Sequence, residues 1–178
     1  MQISVLPNGH VDCLFTDTEL RDVELFAHRR NDPKIQYGVT SQRVDESQGD
    51  LEVNGVGLQG EFAVSHFLEV PIVEKCGLKG DGGVADHWYR GYSIQDKTHD
   101  RLYPQPYLYY PTTDDFKADI TIQCAVIGRG HIRMFGWLSR WMFEELRETH
   151  NFGYGDNACV PVQLLSRMES LKSLSRKA

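Results

Sequence analysis

Four polar residues, Glu61, Asp86, Gln95 and Lys97, have types and spacing that could do chemistry together. Gln95 and Lys97 stand two apart in YSIQDKTH, a run that reads as a strand, so both point to one face while Asp96 between them points to the other. Asp86 lies in the preceding segment, and pairing the two segments as a hairpin brings its carboxylate close to that face. Glu61 sits in a helical pattern that can pack over the same sheet. Hydrolysis of a phosphodiester needs a hard cation with oxygen ligands, a nucleophilic water and positive charge near the phosphorus. In such a site Asp86 binds Mg2+ (or Mn2+) directly, and Gln95 gives its amide oxygen to the ion or its water. Glu61 orients a coordinated water, and Lys97 places the nucleophile or stabilises charge.

The elements that must position these groups follow from pattern. The opening MQISVLPNGHVDCLF reads as a short strand or hairpin. From Asp17, with Asp or Thr as cap, Leu20, Val23, Leu25 and Phe26 give helical spacing that should end before Asn31 to Pro33. The polar stretch from Ser41 to Val53 predicts an exposed loop. VNGVGLQGEFAVSHFLEVP predicts a packed helix stopped by Pro71, with small Gly60 and Ala63 beside Glu61. After glycine-rich Gly77 to Gly83, the segments Val84 to Tyr89 and Tyr92 to Thr98 predict a hairpin turning at Arg90 and Gly91. Asp81, in the glycine-rich approach, is the rival to Asp86.

LYPQPYLYYP suits an edge strand or a partly buried loop. ADITIQCAVIGRGHIRMFGWLSRWMFEELRE predicts strand, tight turn, strand, helix. The last segment begins loop-like, and Leu164, Leu165, Met168 and Leu171 then fall at near-helical spacing. The basic end, with Lys172, Arg176 and Lys177, is expected to fray.

Composition narrows the classes of function. The chain has 178 residues, 40% hydrophobic and 25% charged, which suits one folded domain with its own core. A net charge of -6 argues against a protein that coats nucleic acid nonspecifically. It does not oppose a metal site, where acidic ligands gather and the cation reverses the local field. Cys13, Cys76, Cys124 and Cys159 form no CxxC pair, so reduced thiols are expected. With no apolar run of spanning length and no signal-like start, a cytoplasmic protein without membrane attachment is expected.

Other polar groups invite weaker readings. His87, His99 and His131 form neither HxH nor HxxxH pairs, which favours packing over metal ligation. His99 and Arg101, just beyond the catalytic strand, are the phosphate-contact candidates, with a solvated turn as the plain alternative. Arg129, His131 and Arg133 suit either a phosphate-binding edge or an exposed strand. Tyr103, Tyr107, Tyr109 and Tyr110 could stack on bases, although tyrosines in a strand more often cover a core.

The ordered motifs resemble the PD-(D/E)XK, restriction-endonuclease-like superfamily. Gly60, Glu61, Phe62 and Ala63 look like its helical GE-A element, followed by Gly82, Gly83, Val84, Ala85 and Asp86, then Ile94, Gln95, Asp96, Lys97 and Thr98. Glutamine in the acidic position is similar to the Mrr-like branch. ADITIQCAVIG with IRMFGWLSR resembles small nuclease-like proteins often found in phages. The likeness covers about 54–140, the expected catalytic core of a single nuclease-like domain over 1–178. It implies an α/β fold with a mixed central sheet flanked by helices. It also implies a Mg2+-dependent endonuclease acting on nucleic acid, DNA before RNA, with a homodimer where both strands are cut. The competing expectation is a noncatalytic nuclease-fold protein, binding nucleic acid or a protein partner in regulation or anti-defence. Asp96 departs from the family's apolar residue at its position, so the strand is expected to bulge or expose it.

Overall fold

The computed structural model describes residues 1–36, 50–72, 85–111, 115–153 and 155–177. Asp81 and the glycine-rich approach to Asp86 lie outside these residues, as does most of the expected loop from Ser41 to Val53. The chain opens with the expected hairpin, β1 (Gln2–Val5) and β2 (Val11–Leu14). Helix α1 (Asp17–Gln36) is capped one residue earlier than the sequence suggested. Glu19 N–H donates to Thr16 Oγ1 at 3.3 Å, and Thr16 N–H donates to Glu19 Oε2 at 2.8 Å, a reciprocal capping box.

Two helix boundaries depart from expectation. α1 runs through Pro33 to Gln36 instead of stopping before Asn31, and α2 (Asp50–Leu68) begins inside the expected loop. Proline removes one intrahelical bond. The tertiary pairing of Arg30 on α1 with Glu61 on α2 holds the helices together near that point, which local propensity cannot anticipate. α2 ends with Glu69 at a left-handed φ of 57°, two residues before Pro71.

A mixed six-stranded sheet forms the centre, in the order β1-β2-β7-β6-β4-β3. Its remaining strands are β3 (His87–Tyr89), β4 (Tyr92–His99), β6 (Ile120–Gly128) and β7 (His131–Ser139). β4 and β6 run parallel and the other pairs antiparallel. The crossover between β4 and β6 contains β5 (Tyr107–Tyr110), which pairs with β9 (Asp156–Pro161). β9 also pairs with β8 (Glu148–Asn151). Helix α3 (Arg140–Leu146) follows β7 directly, its N-terminus capped by Ser139.

The β8–β9 hairpin is a correction, because that region read as a loop. β8 is polar throughout and exposed, glycines lie between the strands, and pairing of β9 with β5 supplies the order. The expected helix near Leu164 shrinks to a 3-10 turn at Val162–Leu164 and a short α4 (Met168–Leu171). Nor is the basic end loose. Lys177 Nζ lies 2.7 Å from Asp119 Oδ1, its N–H donates to the Arg90 carbonyl at 2.9 Å, and Arg90 donates to the Leu174 carbonyl.

Two cores lie on opposite faces of the six-stranded sheet. α2 covers one face, where Ala63, Val64 and Phe67 meet Ile94, Ile122, Cys124 and Met134. On the other face β5 and α3 bring Leu108, Tyr110 and Phe143 against Phe116 and Leu138. The protein is thus mixed α/β with helices flanking a mixed sheet. No described helix is long and apolar enough to cross a membrane.

Candidate active site

The β3–β4 turn sets the geometry. Arg90 and Gly91 both have positive φ, 51° and 86°, as a two-residue type I′ hairpin turn requires. This fixes the register at Tyr89 opposite Tyr92 and His87 opposite Ile94. Just before β3, where the paired register ends, Asp86 N–H also donates to the Ile94 carbonyl at 2.8 Å, which holds Asp86 beside the start of the hairpin. β4 continues past that point, and its next edge donor, the Asp96 N–H, is taken by Asp86 Oδ2 at 2.9 Å.

Gln95 and Lys97 share the face turned away from α2. Gln95 is beside Thr121 and Lys97 beside Gln123 in the parallel register. Tyr110 closes over them: its hydroxyl lies 2.8 Å from Thr121 Oγ1 and donates to Gln95 Oε1 at 3.4 Å. Lys97 Nζ sits 4.8 Å from the Tyr110 ring centroid. Burial pushes the Tyr110 phenol well above its ordinary range, and the charges of Asp86 and Asp96 push it the same way. The phenol is therefore a neutral donor at physiological pH. Sequence reasoning grouped Tyr110 with three other tyrosines, because nothing in YLYY marks the one that folds inward.

Glu61 is on α2, over the opposite face. Arg30 grips its carboxylate in a bidentate pair at 2.7 and 2.6 Å. Next to it, Gly60 lets the helix settle on β4: an added Cβ would lie 1.8 Å from Thr98 Oγ1 and 2.8 Å from Asp96 Oδ2. Asp96 is buried in regular register opposite Ile122, so the expected bulge or exposure is absent. Polar neighbours account for part of this burial, although Asp96 Oδ1 accepts no hydrogen bond among the described residues. Thr98 Oγ1 donates to Asp96 Oδ2 at 3.2 Å, and the fully buried His87 places Nε2 3.6 Å from Asp96 Oδ1.

The outer polar residues have specific places. His99 Nε2 lies 3.0 Å from the Tyr107 carbonyl, and burial lowers its pKa, so the ring is neutral and packed. Arg101 stands over the Tyr103 ring at 5.4 Å and 3.5 Å from Asp100. Arg133 binds Asp12 at 2.7 and 2.8 Å, and His131 lies 3.1 Å from the same carboxylate. His131 and Arg133 thus serve pairing between β7 and β2, while Arg129 is exposed in the turn before β7.

Among the described residues no three His, Cys, Asp or Glu side chains stand together as a metal cage. Asp86, bonded to β4 on both sides of Gln95, and Gln95 itself offer one carboxylate and one amide oxygen. Two hard oxygen donors fit a Mg2+ or Mn2+ ion that keeps several waters. No protein-family model and no curated protein matches this chain.

Proposed function

We propose that the protein is a metal-dependent nuclease of restriction-endonuclease-like fold, hydrolysing phosphodiester bonds in DNA. One observation carries the reading: Asp86 is bonded to β4 on both sides of Gln95, through its N–H to the Ile94 carbonyl and its carboxylate to the Asp96 N–H, and Lys97 follows on the same face as Gln95. Asp86 and Gln95 would hold Mg2+ or Mn2+, which would supply Lewis-acid activation of water and of the phosphoryl oxygen. Lys97 presents its ammonium to the charge that develops on the phosphate, and Tyr110 steadies both Lys97 and the Gln95 amide oxygen. Glu61 lies over the opposite face in the grip of Arg30, so the reading rests on Asp86, Gln95 and Lys97. The test is cleavage of plasmid and oligonucleotide substrates with Mg2+ or Mn2+, abolished by EDTA. Lys97→Ala should lower cleavage by about 100-fold or more while leaving the thermal melt near that of the wild type. Unchanged cleavage by that variant would overturn the mechanism.

A noncatalytic binding role is the second reading, favoured by the Arg30 grip on Glu61 and by the uncharged Gln95 at the motif's acidic position. It gains if Mg2+ and Mn2+ neither bind nor support cutting of duplex, nicked, branched or single-stranded substrates.

A further inference from the structure

The row Gln95, Lys97, His99 on β4 runs directly into a surface of aromatic rings. β5 alternates: Leu108 and Tyr110 are buried, while Tyr107 and Tyr109 lie half-buried on the other face of the small sheet. His99 stacks on Tyr109 at 5.4 Å between centroids and meets Tyr103 edge-on at 5.4 Å. Phe152 touches Tyr109 at 5.5 Å and Tyr107 at 5.8 Å, and His150 lies 4.5 Å from Phe152 and stacks on Tyr107. Tyr103 and Phe152 are each 39% exposed, and His150 is exposed with the rest of β8.

We propose that this six-ring surface binds an unpaired nucleotide strand by base stacking and delivers it to the Asp86, Gln95 and Lys97 site. The delivery rests on the nuclease reading, whereas the binding stands without it. Three features select this occupant. Unpaired bases expose π-faces that a duplex hides, and every base can stack on such rings whatever its sequence. The overall charge of -6 leaves little affinity to come from phosphate neutralisation alone, so stacking has to contribute most of it. The rings are mostly Tyr and His, whose polar edges suit a wet nucleic-acid contact.

Fluorescence anisotropy in EDTA, with oligo(dT), oligo(rU) and a duplex of equal length, tests the proposal apart from catalysis. A single strand should bind at least about tenfold more tightly than the duplex, and comparison of dT with rU identifies the sugar. Phe152→Ala should weaken single-strand binding by about tenfold, the order expected for one lost stacking contact. Phe152→Leu, which keeps apolar bulk without the π-face, should do the same with an unaltered melt. Equal binding of duplex and single strand, or single-strand binding untouched by Phe152→Leu, overturns the proposal. So does self-association abolished by Phe152→Ala in a protein that binds no oligonucleotide, which assigns the surface to protein contact. Single-strand binding through Phe152 without metal-dependent cleavage defeats the nuclease reading alone. Metal-dependent cleavage of duplex with no single-strand binding defeats the platform alone.

Discussion

The carboxylate of Asp86 accepts the backbone N–H of Asp96 at 2.9 Å, so the residue assigned to a cation also satisfies the open edge of β4. The proposed catalytic role and a structural role therefore meet in one side chain, and substitutions that treat it as purely one or the other will mislead.

Asp86→Ala removes the acceptor from a buried donor, which costs about 1–3 kcal/mol. Asp86→Asn keeps an oxygen acceptor and loses the charge. Both variants should lose cleavage, but only Asp86→Ala should unfold at clearly lower urea. Equal destabilisation by the two would show that charge, and not the hydrogen bond to Asp96, is what the fold needs at this position.

The Arg30–Glu61 pair joins two helices with side chains only 14% and 10% exposed. Arg30→Ala removes both hydrogen bonds that Arg30 gives the Glu61 carboxylate and should destabilise by about 3–5 kcal/mol. Arg30→Ala combined with Glu61→Ala should be milder than the sum of the single variants, as measured by a double-mutant cycle in urea. Strict additivity would sink the claim that this contact fastens α1 to α2.

Helix propensity alone makes Gly60→Ala stabilising by about 1 kcal/mol. Contact with Thr98 and Asp96 reverses the sign, because overpacking here costs about 1–3 kcal/mol. The variant should melt below wild type, and adding Thr98→Ala should give a smaller loss than the sum of the two changes. A melting temperature at or above wild type for Gly60→Ala would refute the close seating of α2 on β4.

The hydrogen bonds from Arg133 hold the Asp12 carboxyl below its usual range, His131 acts in the same direction, and burial opposes them. A carboxyl lowered on folding stabilises the protein above its unfolded pKa of about 3.9 and loses that contribution as pH falls through the folded value. The melting gap between wild type and Asp12→Asn should therefore be positive near neutrality and close in strong acid. A gap that stays constant down the acid range would exclude this linkage.

Local pattern made much of the frame legible. Arg90-Gly91 announced the hairpin turn, and the alternation in YSIQDKTH placed Gln95 and Lys97 together and Asp96 apart. The apolar runs around Gly128 to Gly130 gave β6 and β7, since two-residue turns and period-two patterns are properties of neighbours in sequence. The same logic failed for β8 and β9, whose order comes from pairing with the distant β5.

What the sequence by itself determined was which polar groups share a strand face and in what order they arrive. Only the tertiary structure decided their partners: Arg30 on Glu61, the Asp96 N–H on Asp86, Tyr110 folded over Gln95 and Lys97, and Thr98 and His87 around a buried Asp96. All of these contacts except the Thr98–Asp96 bond within β4 join separate elements or opposite sides of a turn. Periodicity reports which way a side chain points, whereas burial and charge pairing depend on what the rest of the chain packs against it.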